Sequence, residues 1–372
     1  MLSLKKKMMF SMIVTCGFVS LLWVVAELYL RTVHQDVSEL SGVVPWSTES
    51  TDGLSYHWDH YHPIYGWTNH IGYDSPPSDP FHVTIDHQSL RAHSNAGHTA
   101  GSASKEIGLF GDSFVFGDEV DNDETVPFYV ERLLHGSKVS NYGVHGYGVG
   151  QMALRIENET SVADLDHVMV FIGLPFDLSR DLTSLFVHPK PIFFVEDGQL
   201  KIGNQPVPRE IHQPFFLKYS FAANWVKRQF DGIPKEFTWQ DTLDVHLAIL
   251  SRIRSHLTGL QKTYSFVLIT GPSWLNKKKD SQSVDKQIQW LRTEIKNAHP
   301  GAIDLIPFLE QTYGAKGASI TTEHGHWSPL GNCLLAKELT NQWSSSQEGA
   351  TSPIAQFDCV QGSDGADPLV QP

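Results

Sequence analysis

Cysteine is scarce in this chain of 372 residues, which has three: Cys16, Cys333 and Cys359. Cys16 sits in an apolar run, so the disulfide question reduces to one pair. Cys333 and Cys359 either join and tie the C-terminal tail to the last helix, or stay as two thiols. Basic residues are outnumbered, 28 Lys and Arg against 41 Asp and Glu, for a formal charge of -13 and a pI near 5.8. Outside Lys5-Lys6-Lys7 and the loop Lys277-Lys278-Lys279 there is no basic run, so there is no footprint for nucleic acid. No internal repeat occurs. The histidine-dense stretch Tyr56-His57-Trp58-Asp59-His60-Tyr61-His62 lacks the cysteine or carboxylate spacing of a zinc site, and its aromatics suit a packed or carbohydrate-facing loop. No metal and no cofactor is expected.

Lys5 to Lys7 precede an uncharged apolar run from Met8 to Ala26. At about 1.5 Å per residue, such a helix approaches the ~30 Å of a bilayer core. The lysines ahead of it and the acidic residues after Arg31 favour a cytoplasmic N-terminus and an external body. No small-x-small cleavage site follows, so the segment reads as a signal-anchor. Cys16 lacks the preceding small residue of a lipoprotein site.

The stretch Ile107-Gly-Leu-Phe-Gly-Asp-Ser113-Phe-Val-Phe-Gly117 reads as a buried strand that ends in a tight turn. Such a turn presents the Ser113 hydroxyl beside backbone N–H groups able to hold an oxyanion. It is not the Gly-x-Ser-x-Gly elbow, because Val115 stands where the second glycine would be. Near the other end, Glu323-His324-Gly325-His326-Trp327-Ser328-Pro329 precedes a helical pattern. A serine hydroxyl becomes a competent nucleophile when a neutral imidazole takes its proton and a carboxylate fixes the tautomer of that imidazole.

With Gly-Asp-Ser early and a carboxylate three residues before a late histidine, the chain resembles the SGNH (GDSL-type) serine hydrolases. The resemblance implies Ser113 as nucleophile, His326 as base and Glu323 as the orienting acid, with glutamate where aspartate is usual. The segment Val139-Ser-Asn-Tyr-Gly143-Val-His-Gly146 is similar to the family's second block, implying that the Gly146 N–H joins that of Ser113 in an oxyanion hole. The third block departs from the pattern. After the strand His167 to Gly173 the family has an Asn-Asp pair, whereas Phe176 and Asp177 stand here. Phenylalanine cannot donate a hydrogen bond, and losing one oxyanion donor costs roughly 3 to 4 kcal/mol of transition-state stabilisation. Asp112 and Asp177 could be catalytic or could brace the loops around the serine.

From Lys105 onward apolar runs alternate with helical patterns. The expected strands are 107–110, 138–142, 168–172, 265–269 and 303–306, and the expected helices 126–134, 243–258, 284–297 and 329–343. This predicts an α/β fold: three-layer α/β/α, with a parallel, flavodoxin-like central sheet and an N-terminal transmembrane helix. The expected parts are an anchor at 1–31, an accessory region and linker at 32–104, and a hydrolase-like domain at 105–343. That domain carries an insertion at about 181–240, and residues 344–372 form a tail. Within the insertion, 191–195 and 200–202 flank a hairpin turn, and 214–225 is aromatic and helical in pattern.

The function these features imply is a membrane-anchored serine esterase that hydrolyses small acyl esters, O-acetyl above all, on envelope glycans. Its expected place is the inner (cytoplasmic) membrane, single-pass, with a periplasmic or extracellular catalytic domain. Its expected partners are an acyl ester or acetylated glycan, the membrane and envelope polysaccharide machinery. The same site would serve an O-acetyltransferase. A catalytically weak glycan-binding or assembly protein is the alternative of another class.

Overall fold

Five parallel strands form the centre of the molecule in the order β4-β3-β5-β8-β9: β3 is Lys105–Phe110, β4 Ser137–Asn141, β5 His167–Gly173, β8 Thr263–Ile269 and β9 Ile303–Asp304. The computed structural model describes residues 4–33, 57–93, 105–207, 219–230, 237–277, 282–346 and 358–359. The strand order reverses between β3 and β5, the flavodoxin-like arrangement expected from the sequence. It opens a crevice beyond the carboxyl ends of those two strands.

The apolar runs split cleanly between the two faces of the sheet because side chains alternate along a strand. Val168, Val170, Ile172, Phe266 and Leu268 join one core, with Met152 and Ile156 of α4 (Val149–Asn158), Ile249 and Ile253 of α7 (Trp239–Gly259), and Leu291 and Ile295 of α9 (Gln282–Ala298). Met169, Phe171, Val267 and Ile269 face the other, with Val126 and Val130 of α3 (Val126–Leu133), Leu309 of α10 (Ile306–Lys316), and Leu335 and Leu339 of α11 (Pro329–Ser346). Each such side chain contributes about 1.5–3 kcal/mol by leaving water.

The helix starts follow local chemistry. Thr125 Oγ1 accepts the Phe128 N–H at the head of α3, and Thr238 and Asp241 cap α7 reciprocally. The strand expected at 303–306 is shorter than its apolar run. Ile306 opens α10 instead, and Pro307 stands in its first turn, where a missing N–H costs nothing. Two short helices, α2 (Ser113–Phe116) and α5 (Phe176–Asp181), follow β3 and β5 at the crevice, and a third, α8 (Pro272–Lys277), follows β8. In the segment expected as an insertion, β6 (Ile192–Glu196) pairs antiparallel with β7 (Gln199–Gly203).

Residues 57–93, expected as accessory, pack against the main core and the segments that follow β3 and β4. The hairpin of β1 (Asp59–His62) and β2 (Gly66–Asn69) replaces the loop expected there, and Trp67 is wholly buried in the main core. His60 stacks on His70 and His62 on Tyr65. The linker expected at 93–104 lies outside the described residues beyond His93, as do Lys278 and Lys279, residues 214–218 and most of the tail.

α1 (Leu4–Val33) is long and apolar enough to cross a membrane by length and composition. Its C-terminal end meets α6 (Phe221–Phe230), which carries the described part of the aromatic pattern. Glu27 accepts hydrogen bonds from Ser220 Oγ and from the Phe221 and Ala222 N–H groups at 2.9–3.1 Å, and so caps α6 from another helix.

Cys333 and Cys359 are joined, with Cα atoms 5.8 Å apart and a sequence separation of 26. A cross-link over such a span restricts the unfolded chain by about 3 kcal/mol. Reducing it, or making Cys333→Ala, is therefore expected to lower the denaturant midpoint accordingly. An unchanged midpoint would mean the tail adds nothing to the fold.

Candidate active site

Ser113 stands where β3 ends and turns. Asp112 Oδ1 accepts the Phe114 N–H at 3.0 Å and so caps α2, whose first residue is Ser113. Gly117 closes the turn with φ of 90°, donating to the Ser113 carbonyl at 2.8 Å. A side chain there would be strained and would drive a Cβ to 2.6 Å from Thr125 Cγ2. The loop after β4 lies directly on this turn: a Cβ on Gly143 would fall 2.2 Å from the Phe116 nitrogen. Asn141 Nδ2 ties the two by donating to the Val115 and Phe116 carbonyls. Arg91, fully buried, donates to the carbonyls of Phe116, Gly117 and Val120 and holds the chain that leaves the turn.

His326 comes from the loop before α11. The buried Trp327 and the Thr321–Trp327 bridge fix that loop, and the Thr322 hydroxyl receives the His326 N–H at 3.0 Å. His326 Nε2 lies 3.0 Å from Ser113 Oγ, and Nδ1 lies 2.6 Å from Glu119 Oε2. A carboxylate on Nδ1 holds the proton there and leaves the Nε2 lone pair facing the serine. Glu119 also accepts from Thr322 Oγ1 at 2.6 Å and from the His324 N–H at 3.1 Å. Its backbone has φ of 64°, unusual for a residue with a side chain.

The carboxylate on His326 is thus Glu119 and not the expected Glu323, which is exposed. The loop accounts for the difference. Between Thr322 and His326 the chain reverses through Gly325 at φ of 92°, with the Gly325 N–H turned to the Thr322 carbonyl, so the residue three before the histidine faces water.

The electrostatics follow from this packing. Burial raises the Glu119 carboxyl, but the hydrogen bonds from His326, Thr322 and the His324 N–H outweigh it and bring it down to about 2. Burial likewise favours neutral His326, yet the Glu119 hydrogen bond and the charges of Asp118, Glu119 and Asp112 outweigh it and raise its pKa above the ordinary 6.5.

Gly146 follows β4 with φ of 70°. Among the described residues neither the Ser113 N–H nor the Gly146 N–H donates a hydrogen bond. Phe176 lies with its ring over Gly173, 5.5 Å from the Phe114 ring. Asp177 accepts the Gly173 N–H at 2.6 Å. Arg180 ties these segments together: its Nη1 reaches Asp112 Oδ2 at 2.8 Å, Asp177 Oδ1 at 2.8 Å and the Tyr147 carbonyl at 3.0 Å. Its guanidinium lies over the rings of Phe176 and Phe186. Asp112 and Asp177 therefore brace loops, the first through a cap and both through Arg180.

A second imidazole–carboxylate pair abuts the first. Asp118 Oδ2 is bonded to His145 Nδ1 and lies 3.9 Å from His326 Nε2. Behind it His188 Nε2 meets Asp59 at 3.1 Å, and the Trp67 indole N–H donates to the His145 carbonyl at 2.8 Å. Burial pushes the Asp59 carboxyl up to about 8, against the pull of His145 and with the charge of Asp118 adding to the rise. Sequence reasoning missed Glu119, Asp118, His145 and Arg180. Gly117 was the available signal, since a glycine closing one helical turn brings residues 118 and 119 back beside residue 113. Among the described residues no group of three metal-ligating side chains gathers.

No family model matches the chain, and no curated protein matches it. Among solved structures it is similar to a lipase/acylhydrolase from Enterococcus faecalis at 16% identity, covering 64% of this chain and 94% of that one, with a TM-score of 0.38. It is similar to a member of the lipolytic protein G-D-S-L family from Veillonella parvula at 15% identity, over 63% and 96%, with a TM-score of 0.39. It is also similar to an acetylxylan esterase from Geobacillus stearothermophilus at 15% identity, over 70% and 99%, with a TM-score of 0.39.

Proposed function

We propose that this chain is a serine esterase of SGNH type that cleaves small acyl esters, O-acetyl groups on envelope glycans above all, while anchored by α1. The relay Glu119–His326–Ser113 carries this reading, with Oε2 to Nδ1 at 2.6 Å and Nε2 to Oγ at 3.0 Å. Ser113 Oγ attacks the ester carbonyl as His326 Nε2 takes its proton. The Ser113 and Gly146 N–H groups receive the oxyanion, and His326 returns the proton to the departing alcohol. Water, or a sugar hydroxyl if the protein is a transferase, then attacks the acyl-enzyme by the reverse sequence.

A short acyl group fits the surroundings. Phe186 and Val187 stand 3.1–3.2 Å from where a Cβ on Gly146 would lie, and Phe176 covers Gly173. The Cys333–Cys359 disulfide supports an oxidising compartment for the body, in agreement with the orientation implied by Lys5 to Lys7. Glu27 capping α6 supports a body held close to the bilayer and hence a substrate at the membrane surface.

Intact-mass analysis of the full chain treated with a fluorophosphonate tests the reading. One adduct per chain, mapped by peptide mass to Ser113, is expected. A folded protein that takes up no adduct would sink the esterase and the transferase together and leave the glycan-binding reading.

A further inference from the structure

Asp118 has more carboxylate than its partners use. It is 5% exposed, its Oδ2 is occupied by His145, and its buried Oδ1 has no protein partner among the described residues. A buried carboxylate oxygen without a donor is costly unless something that binds there supplies one. The carboxylate is held ionised. Burial would raise its pKa, but His145, His326 and Arg91 outweigh burial and keep it below the usual range.

The position of this carboxylate relates to a particular stage of the reaction. Asp118 Oδ2 lies 3.9 Å from His326 Nε2, the atom that must take the proton of whatever attacks the acyl-enzyme. The Asp118 backbone N–H also donates to the Ser113 carbonyl at 3.1 Å, which ties the two residues across the turn. An oxygen hydrogen-bonded to Nε2 and approaching the acyl carbon stands within reach of Asp118. A single hydroxyl has one proton, and that goes to His326. The acceptor that satisfies both groups carries a second O–H: water through its other hydrogen, or a sugar through a neighbouring hydroxyl.

Resting on the esterase reading above, we propose that Asp118, backed by His145, is a catalytic residue of deacylation that selects acceptors with two O–H donors, namely water or a vicinal diol. The attacking oxygen forms its bond to the acyl carbon and gives its proton to His326 Nε2. The second O–H donates to the Asp118 carboxylate throughout and is not transferred. The bond from Ser113 Oγ to the acyl carbon breaks, and His326 returns the proton to Oγ. The selectivity favours carbohydrate, whose hydroxyls are adjacent, over simple alcohols.

The test uses the full chain in detergent with p-nitrophenyl acetate, following the burst, the steady state and the acetyl-enzyme by intact mass. Asp118→Asn is expected to acylate at a rate near that of the wild type and to deacylate about 10²-fold more slowly, so that acetyl-enzyme accumulates. Added 1,2-ethanediol should capture the acetyl group about tenfold better than 2-methoxyethanol in the wild type, and Asp118→Asn should lose that preference. His145→Asn keeps a donor to Asp118 and should retain most of the preference, whereas His145→Leu should not. This pair keeps the test alive if Asp118→Asn fails to fold. Equal capture of the two alcohols by the wild type, or wild-type deacylation by Asp118→Asn, overturns the proposal while leaving the esterase intact. A wild type that never forms acetyl-enzyme overturns the esterase reading itself.

Discussion

Glu119→Gln is expected to lower kcat about 10⁴-fold, the scale on which an orienting carboxylate acts through imidazole tautomer and alignment. Glu323→Gln, at an exposed site, is expected to leave kcat within about twofold. The two glutamates are therefore separable in one experiment, and a large loss in Glu323→Gln with little in Glu119→Gln would reverse the assignment. The pH profile supplies a second readout with a definite sign. His326 holds its proton to higher pH than an ordinary histidine, because Glu119, Asp118 and Asp112 outweigh burial. Its base form is therefore depleted below that raised pKa, and the acidic limb of kcat/KM lies above 6.5. Removing the Glu119 charge and hydrogen bond lets the pKa fall. The acidic limb of Glu119→Gln should move to lower pH even as its plateau collapses. A variant that lost activity only through misfolding would not shift its limb in that direction.

Stability has its own pH signature at this residue. The Glu119 carboxyl is held at about 2 against an ordinary 4.5, so the folded state binds the proton less readily than the unfolded chain. Its contribution is present above 4.5 and is lost as pH falls from there toward 2. Thermal melts of the wild type and Glu119→Gln should converge across that window.

The parallel sheet was legible in the sequence because its strands are continuous apolar runs and its helices carry ordinary starts. Ser113 and His326 were legible as residues that meet, one at the end of the first such strand and one just before the last helix. The acid was not. Glu119 reaches His326 through a left-handed Gly117 and its own φ of 64°, and no periodicity of hydrophobic residues signals such a turn. Glu323 was attractive for its spacing, and spacing fails where a glycine reverses the chain between the two residues. The hairpin of β1 and β2 was hidden for a different reason. Its strands are four residues each, Asp-His-Tyr-His and Gly-Trp-Thr-Asn, and paired only with one another, yet they carry Asp59 and Trp67 against the loop of His145. Tertiary contact, not local propensity, makes them strands.

The departure at Phe176 leads to Arg180, four residues on. Its Nη1 bonds Asp112, the neighbour of Ser113, and Tyr147, the neighbour of Gly146, so a single guanidinium holds the two segments that bear the unpaired N–H groups. Asp112 and Asp177 are each 1% exposed, and Arg180 is the cation paired with both. Asp177 carries a strongly raised pKa because of burial and of Asp112, with Arg180 pulling it back. Arg180→Leu strips the charge and leaves two buried carboxyls facing each other, an arrangement that costs about 3–5 kcal/mol. The deficit should shrink as pH falls, because a proton taken up at Asp177 removes uncompensated charge. Adding Asp177→Asn should recover about half of it, since the amide oxygen still accepts the Gly173 N–H and one carboxylate is gone. Activity should not recover in parallel. With the two segments untied, the N–H groups proposed to receive the oxyanion lose their aim, and kcat is expected to stay about 10²-fold down at temperatures where the double variant is folded. Recovery of kcat along with stability would mean that Arg180 serves the fold alone, and that the proposed oxyanion hole is held by the hydrogen bonds from Asn141 to the Val115 and Phe116 carbonyls.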